Sequence, residues 1–421
     1  MMIGMGKYTK TAKIIAAIIC MLLAAFLATC SADLQDTDDD SLLPQKTTEG
    51  SEPSHTDTAS PAPTSEPPKP PPAPSPTPEL KLVPYDGVVE HIFFHEVIVW
   101  PELAFDGGSG QKGYDDYMVT AYEYKKILES LYKNNYILVD LNDVWSEYTN
   151  DSGQQRMRRN TLMLPEGKKP IVFSYDDINF YQYMRGDGFM EKLIIGEDGD
   201  IWDYGIDPKG NIVISQEMTA VTILDSFVKD NPGFSLGGVK GCIALTGYEG
   251  ILGYRTQTDR NDNSQEFQLN RMQEVARVRP VVQKLKENGW YFATHSYGHI
   301  NLERASLEGV KNDAIRWMDE VGSLIGETKI FIYPFGSRLD RGDVYSTGPA
   351  FEFYHSLGFR VFASVGREPF SRIKPDISAV VLDRMNSDGI SLRRSRERFL
   401  YLYDAAEVFD PRRPAEYGNT W

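Results

Sequence analysis

The sequence predicts an α/β fold built on a mostly parallel sheet. From residue 88 onward, short apolar runs alternate with longer segments in which apolar residues recur at helical spacing. That alternation is typical of parallel strands connected by helices. Two of the apolar runs also end in reactive side chains, one in a pair of aspartates and the other in a pair of histidines. The strand pattern therefore predicts a functional site as well as a fold.

The individual elements follow from these runs in chain order. Apolar runs bounded by polar or turn residues predict strands at 91–95, 136–139, 170–176, 211–214, 241–245, 290–294, 330–333 and 361–365. Residues 193–202 predict a hairpin, because two apolar runs flank a turn that contains glycine. Apolar residues at helical spacing predict helices at 121–135, 222–228, 275–288, 314–324 and 351–357.

The first 30 residues are typical of a lipoprotein signal peptide. Three lysines precede an apolar core at residues 14–28, and Leu27-Ala28-Thr29-Cys30 resembles a lipobox, in which lipid is attached to the cysteine. An ordinary secretory signal or an uncleaved anchor is the alternative. Lipid at Cys30 would hold the remaining chain on the outer face of a bacterial membrane, outside the cytoplasm.

Two further regions are predicted beyond the signal peptide (1–30). Residues 31–84 are rich in Asp, Ser, Thr and Pro and are expected to form a disordered linker, because such a composition cannot bury a core. Residues 85–421 are expected to form the folded domain, which includes insertions between the aspartate-bearing and histidine-bearing strands.

Charge limits the classes of partner. The chain has 421 residues and a formal net charge of -16, and its pI is about 4.9. Nucleic-acid binding needs a basic face, so we expect no nucleic-acid partner. An acidic surface also disfavours polyanionic substrates, whereas a neutral glycan is compatible with it. We expect a monomer.

The two reactive strand ends predict a metal site. Asp176 and Asp177 follow one apolar run, and His295 and His299 follow another. In a barrel of parallel strands, side chains just past the strand ends meet on one rim. One carboxylate and two imidazoles form a three-ligand set for a divalent metal ion, and the other carboxylate is left to act as a base. The alternatives are a solvated acidic turn and two hydrogen-bonded histidines.

Three fragments resemble the motifs of the polysaccharide deacetylases, carbohydrate esterase family four. They are Ser-Tyr-Asp-Asp at 174–177, His-Ser-Tyr-Gly-His at 295–299 and Ile-Tyr-Pro-Phe-Gly at 332–336. The resemblance covers roughly residues 88–398. It implies a distorted (β/α) barrel with fewer than eight units, decorated by β-hairpin and loop insertions. The Phe-His pair that ends in His95 resembles the exported poly-N-acetylglucosamine deacetylase branch.

The resemblance implies roles for the strand-end residues. Asp177, His295 and His299 would hold one divalent metal ion, with zinc as the expected metal, and Asp176 would act as the general base. The implied activity is that of a hydrolase acting on carbon–nitrogen bonds other than peptide bonds.

Three other residues receive roles from the same resemblance. The backbone N–H of Phe335 would donate to the oxyanion, and His95 would protonate the leaving amine. The sequence departs from the family at Ile332, where an arginine that orients the base is usual. Arg384, which follows a strand-like run, is predicted to take the place of that arginine.

The function that the resemblance implies is removal of acetyl groups from an N-acetylhexosamine polysaccharide of the cell wall or cell surface. Peptidoglycan and poly-N-acetylglucosamine are the expected substrates. An O-acetyl esterase acting on acetylated glycans would use the same site. A glycan-binding protein that retains the fold without catalysis is the alternative of a different class, and the Ile332 departure favours it.

Overall fold

A computed structural model describes residues 81–259, 261–339 and 348–420. The predicted signal peptide, its Cys30 and nearly all of the predicted linker lie outside the described residues. Among the residues that are described, no helix has the length and apolar character needed to cross a membrane.

The described strands are numbered in chain order. They are β1 (Leu82–Tyr85), β2 (Glu90–Phe94), β3 (Tyr136–Leu138), β4 (Trp145–Thr149), β5 (Gln155–Arg159), β6 (Leu162–Pro165), β7 (Lys169–Asp176), β8 (Lys192–Ile195), β9 (Ile201–Ile206), β10 (Ile212–Ser215), β11 (Cys242–Leu245), β12 (Tyr291–Thr294), β13 (Ile330–Ile332), β14 (Val361–Val365), β15 (Phe370–Ile373) and β16 (Val380–Asn386).

The described α-helices are numbered in the same way. They are α1 (Pro101–Ala104), α2 (Gln111–Tyr117), α3 (Ala121–Lys133), α4 (Leu141–Val144), α5 (Ala220–Asp230), α6 (Gln265–Glu287), α7 (Leu307–Trp317), α8 (Ser323–Ile325), α9 (Pro349–Ser356), α10 (Gly389–Arg394), α11 (Arg396–Phe399) and α12 (Ala405–Val408). A π-helical turn, Met318–Gly322, joins α7 to α8.

Seven parallel strands close into a barrel. They follow the order β11-β12-β13-β14-β16-β2-β7, and β7 returns to β11 through parallel pairing of Ser174 with Cys242 and of Asp176 with Ala244. The first half of β7 pairs instead with β3. This closed sheet confirms the predicted (β/α) barrel with fewer than eight units. The insertion between β7 and β11 contains the predicted hairpin, β8 and β9, and the predicted additional strand β10.

Alternate residues of the barrel strands pack into two clusters, as the two-residue period of a strand requires. Phe173, Ile243 and Leu245 belong to a cluster with residues of the surrounding helices. Small side chains such as Ala244 and Ala293 belong to a separate cluster, and we place the barrel-strand members of that cluster inside the barrel. Small residues there leave room for the long polar side chains of the site.

Three predicted boundaries were wrong, and one of them is the start of α7 at Leu307, seven residues before the predicted start. The folded region begins at Leu82, three residues inside the predicted linker, because β1 pairs antiparallel with β6. Helix α6 begins at Gln265, ten residues before the predicted start. The side chain of Ser264 accepts a hydrogen bond from the backbone N–H of Phe267 and caps this helix. The added turns are largely exposed and polar, so they show no apolar periodicity.

Glu96 is a buried carboxyl group just past β2. Its Oε1 accepts hydrogen bonds from the backbone N–H groups of Val97 and Ala220. Its Oε2 has no hydrogen-bond partner in the described part of the chain. Burial raises the pKa of Glu96 to about 8, which the two backbone hydrogen bonds only partly oppose.

We expect this pKa to make folding stability depend on pH. Between about pH 4.5 and pH 8, folded Glu96 keeps a proton that the unfolded chain releases, so the free energy of unfolding falls as pH rises. Glu96→Gln removes this titration. From the lower to the upper end of that pH range, the free energy of unfolding of the wild type should therefore fall by on the order of a few kcal/mol relative to that of Glu96→Gln. Urea unfolding of both proteins at each pH measures it, and identical pH dependence would contradict the assignment.

Candidate active site

The strand ends that carry the predicted site residues meet on one rim of the barrel. Strand β7 ends at Asp176 and β12 ends just before His295, and β11 lies between them. His295 Nε2 lies 3.9 Å from Asp176 Oδ2. His299 Nε2 lies 3.5 Å from Asp177 Oδ2. The structure therefore brings together all four side chains that the sequence places at these strand ends.

The backbone around the site adopts left-handed conformations that residues other than glycine rarely take. Asp177 has φ 61°, Ser296 has φ 57°, His299 has φ 48° and Phe335 has φ 57°. Each such residue costs of the order of 1–3 kcal/mol and persists only where its surroundings enforce it. Strained residues cluster at active sites, so their presence on three separate loops supports a functional role for this rim.

The hydrogen bonding of His295 leaves a lone pair for a metal ion. Its Nδ1 lies 3.0 Å from the backbone oxygen of Ile332, which can only accept a hydrogen bond, so Nδ1 carries the proton. Burial, together with the charges of His299 and Arg384, lowers the pKa of His295 against the opposing effect of Asp176 and Asp177, which keeps the ring neutral at neutral pH. Nε2 is then unprotonated, and its lone pair faces the carboxylate of Asp176. A cation between the two would remove the repulsion between this lone pair and the negatively charged oxygen.

Asp177 is oriented by a buried tyrosine. The hydroxyl of Tyr181 donates to Asp177 Oδ1 at 2.5 Å and lies 2.6 Å from the hydroxyl of Thr246. This leaves Asp177 Oδ2, the oxygen nearer His299, for a metal ion. Partners that orient a metal ligand in this way raise the affinity of many metal sites.

These residues fit a divalent metal ion. Ligand atoms of Asp177, His295 and His299 all lie within 4.8 Å of one another. One carboxylate and two imidazoles form a ligand set found in zinc enzymes that keep a coordination position open. Imidazole and carboxylate also suit other transition metals, so the ligand set alone does not identify zinc.

Asp176 forms a buried ion pair with Arg384 inside the barrel. Arg384 donates to both carboxylate oxygens, from Nη1 at 2.7 Å and from Nη2 at 2.9 Å. Nη1 also donates to the Ser174 hydroxyl at 3.0 Å. Burial raises the pKa of Asp176, but the charge and hydrogen bonds of Arg384 oppose this, and the pKa lies below its usual value. Asp176 is therefore a carboxylate at neutral pH, and Arg384 contacts Asp176, the residue that it was predicted to orient.

The other two predicted residues lie next to this group. The ring of Phe335 packs against His299 with 4.3 Å between ring centroids, and 66% of the residue surface is exposed. His95 follows β2 and interacts electrostatically with Asp176 and with the buried Asp388. Its Nδ1 is buried and has no hydrogen-bond partner among the residues described. The roles of Phe335 as oxyanion donor and of His95 as acid remain predictions.

The loop that carries both histidines depends on residues that the sequence did not reveal. Asp313 in α7 accepts hydrogen bonds from the backbone N–H groups of Tyr297 at 2.7 Å and of Gly298 at 2.8 Å. The Tyr297 hydroxyl donates to Glu320 in the π-helical turn at 2.9 Å. A π-helical turn is frequent beside functional sites. Its i→i+5 pattern leaves no simple sequence signal, so these anchors could not be predicted.

No protein-family model matches this chain, and no curated protein matches it in sequence. The chain is similar to solved deacetylases. One, from Streptococcus pyogenes and solved with acetate, is 12% identical with a TM-score of 0.40, over 77% of this chain and 99% of that chain. A polysaccharide deacetylase from Bacillus cereus is 11% identical with a TM-score of 0.37, over 71% of this chain and 65% of that chain.

A further similar structure is a pseudoenzyme. It is a carbohydrate esterase family four protein from Bacillus anthracis, 12% identical with a TM-score of 0.22, over 34% of this chain and 37% of that chain. Likenesses this distant assign neither an activity nor a site residue. They also leave the resemblance to the exported poly-N-acetylglucosamine deacetylase branch untested.

Proposed function

We propose that this protein is a metal-dependent deacetylase that removes acetyl groups from the amide nitrogens of an N-acetylhexosamine polysaccharide. The observation that carries the proposal is the juxtaposition of two groups on one rim. Asp177, His295 and His299 form a metal-ligand set, and Asp176 is held beside it by Arg384. Peptidoglycan and poly-N-acetylglucosamine are the proposed substrates, and zinc is the proposed metal.

The proposed chemistry assigns each residue one task. A divalent ion held by these ligands would lower the pKa of water towards about 7 and polarise the acetyl carbonyl. Asp176 accepts the proton of the attacking water, because its carboxylate stays charged beside Arg384. The backbone N–H of Phe335 donates to the developing oxyanion. His95 returns a proton to the leaving amine, which cannot depart as an anion.

A substrate panel with and without a chelator tests the proposal. The full chain is incubated with N-acetylated and O-acetylated oligosaccharides, and released acetate and free amines are counted. We expect acetate and amines in equal amounts, loss of both with chelator, and recovery when zinc is restored. Acetate without amines would identify an O-acetyl esterase. No acetate from any substrate, with the metal bound, would favour a non-catalytic glycan-binding protein.

Arg384 weakens the case for a non-catalytic protein. The Ile332 departure removes the family's usual arginine, and a base without a partner would be buried at a cost. Arg384 supplies two hydrogen bonds to Asp176 from a different strand, β16. This contact supports the proposal that Asp176 acts as an oriented base despite Ile332.

We predict that His95→Ala lowers turnover strongly while metal content and thermal unfolding stay close to wild type. His95 lies at the end of β2 near Asp176 but outside the metal-ligand set, so its loss should remove proton donation alone. General acid catalysis typically raises the reaction rate by roughly 10²- to 10⁴-fold. Acetate release and metal content are measured on the same sample. Turnover near the wild-type rate would leave the leaving amine in need of another proton donor.

We also propose that the protein is lipid-anchored on the outer face of the bacterial membrane, facing the cell wall or surface polysaccharide. The support is the sequence of residues 1–30, in which Cys30 follows an apolar core. Cys30→Ser should release the protein from the membrane fraction or block its processing, and acetate release by the domain should not change. Fractionation and immunoblotting measure this. A processed variant that stays tightly membrane-bound would favour another mode of attachment.

A further inference from the structure

Three tyrosines form a stacked cluster beside the proposed metal site. Tyr181 stacks on Tyr183 with 5.3 Å between ring centroids and 14° between planes. It also stacks on Tyr248, at 4.9 Å and 16°. We call these three residues the tyrosine cluster. Tyr181 is buried, whereas 60% of the Tyr183 surface is exposed, so the cluster runs from the protein interior to solvent.

The tyrosine cluster is joined directly to the proposed reaction centre. The hydroxyl of its buried member, Tyr181, donates to the metal ligand Asp177. The backbone N–H of Tyr248 donates to the carbonyl of Tyr297, in the loop that carries both histidines. The exposed ring of Tyr183 therefore stacks directly on the side chain that contacts the metal ligand.

The backbone that carries the cluster is held in place by short polar contacts. The N–H of Gln182 donates to the carboxylate of Glu249 at 2.6 Å. The guanidinium of Arg255 donates to the carbonyls of Phe180 and Glu249, each at 2.6 Å. These contacts tie the segment before Tyr183 to the segment that contains Tyr248. An exposed aromatic ring on a fixed backbone loses little conformational freedom when a ligand covers it.

The shape and polarity of the exposed ring fit a sugar. A pyranose has one face dominated by C–H groups and a rim of hydroxyls. The face of an aromatic ring carries a negative quadrupole that attracts positively polarised hydrogens. This contact requires no charge, in keeping with the acidic character of the chain.

We propose that Tyr183 is the platform of a second sugar-binding subsite, which stacks a neutral hexopyranose unit next to the unit whose acetyl group is removed. The inference rests on the proposed function, because it takes the substrate to be a polysaccharide in which a second sugar unit is linked to the reacting one. It goes beyond that function by assigning the residue that recognises polymer over monomer.

Binding and turnover of a tetramer of N-acetylglucosamine, with the monomer for comparison, test the platform in the full chain. Binding is measured by calorimetry in the Asp176→Asn background, and turnover in the otherwise unchanged protein. Tyr183→Ala should weaken tetramer binding about tenfold and raise KM for the tetramer. The binding free energy of one stacked ring corresponds to a change in affinity of about that size. Affinity for the monomer, which fills only the reacting position, should change much less. Tyr183→Phe should bind as the parent does.

Matched controls separate the subsite from the activity. Tyr122→Ala removes another exposed tyrosine, on α3 and 42% exposed, and should leave tetramer binding unchanged. Equal tetramer affinity for Tyr183→Ala and its parent would overturn the subsite even if acetate is released. Tetramer binding that depends on Tyr183 without acetate release by the wild type would overturn the deacetylase and retain the subsite. No tetramer binding by the parent would overturn the subsite in this form.

Discussion

Replacing His295 or His299 by alanine should remove the bound divalent ion and the acetate-releasing activity together. Each change takes away one of three protein ligands, and the remaining pair cannot hold the ion in a site that needs three. We expect the larger loss of metal affinity from His295→Ala. The Nδ1 of His295 donates to the carbonyl oxygen of Ile332, and this hydrogen bond fixes the orientation of Nε2. Metal content by elemental analysis and acetate release on the same preparation give the result.

His355→Ala is the matched control. His355 is also hydrogen-bonded to a backbone carbonyl, with Nε2 3.1 Å from the oxygen of Ser378, but it lies on α9 and outside the ligand set. The control should keep one ion per chain and wild-type turnover. Retention of stoichiometric metal by the double variant His295→Ala/His299→Ala would show that the ion binds elsewhere.

The sequence predicted the placement of the candidate site residues where such a residue lies directly beside a strong strand signal. Asp176, Asp177 and His295 follow apolar runs that became β7 and β12, and parallel strands bring such ends to one rim. Arg384 was singled out in the same way, since it follows the strand-like run at residues 380–382, which became the first part of β16. The strand patterns therefore predicted both the barrel and the placement of these residues on its rim.

The anchors of the site were not predictable, because they contact it through tertiary packing. Asp313 is one of several polar residues on α7, and helical periodicity does not say which of them meets the backbone of Tyr297. Tyr181 follows Asp177 by four residues in a segment without regular structure. Pairing of β1 with β6 was hidden in the same way, because short edge strands distant in sequence give no local signal for each other.

Asp176→Asn should remove most turnover and leave metal content near normal. The variant side chain cannot accept the proton of the attacking water, and general base terms are typically worth roughly 10²- to 10⁴-fold. Asp177→Asn is the comparison, since it alters the proposed metal ligand next in the chain and should lose metal. Equal metal loss in the two variants would show that the two carboxylates share both roles.

Because Asp176 also pairs with Arg384, Asp176→Asn could lower turnover through lost folding stability. A second variant separates this effect from loss of the base. Asp176→Asn leaves the fully buried guanidinium of Arg384 without its counter-ion. Breaking a buried pair from one side typically costs about 3–5 kcal/mol of folding stability. Replacing both partners, as in Asp176→Asn/Arg384→Met, removes the unpaired charge and should restore part of that stability. Turnover should stay low in the double variant, because the base is still missing. Recovery of turnover together with stability would mean that Asp176 acts only by holding the barrel interior together.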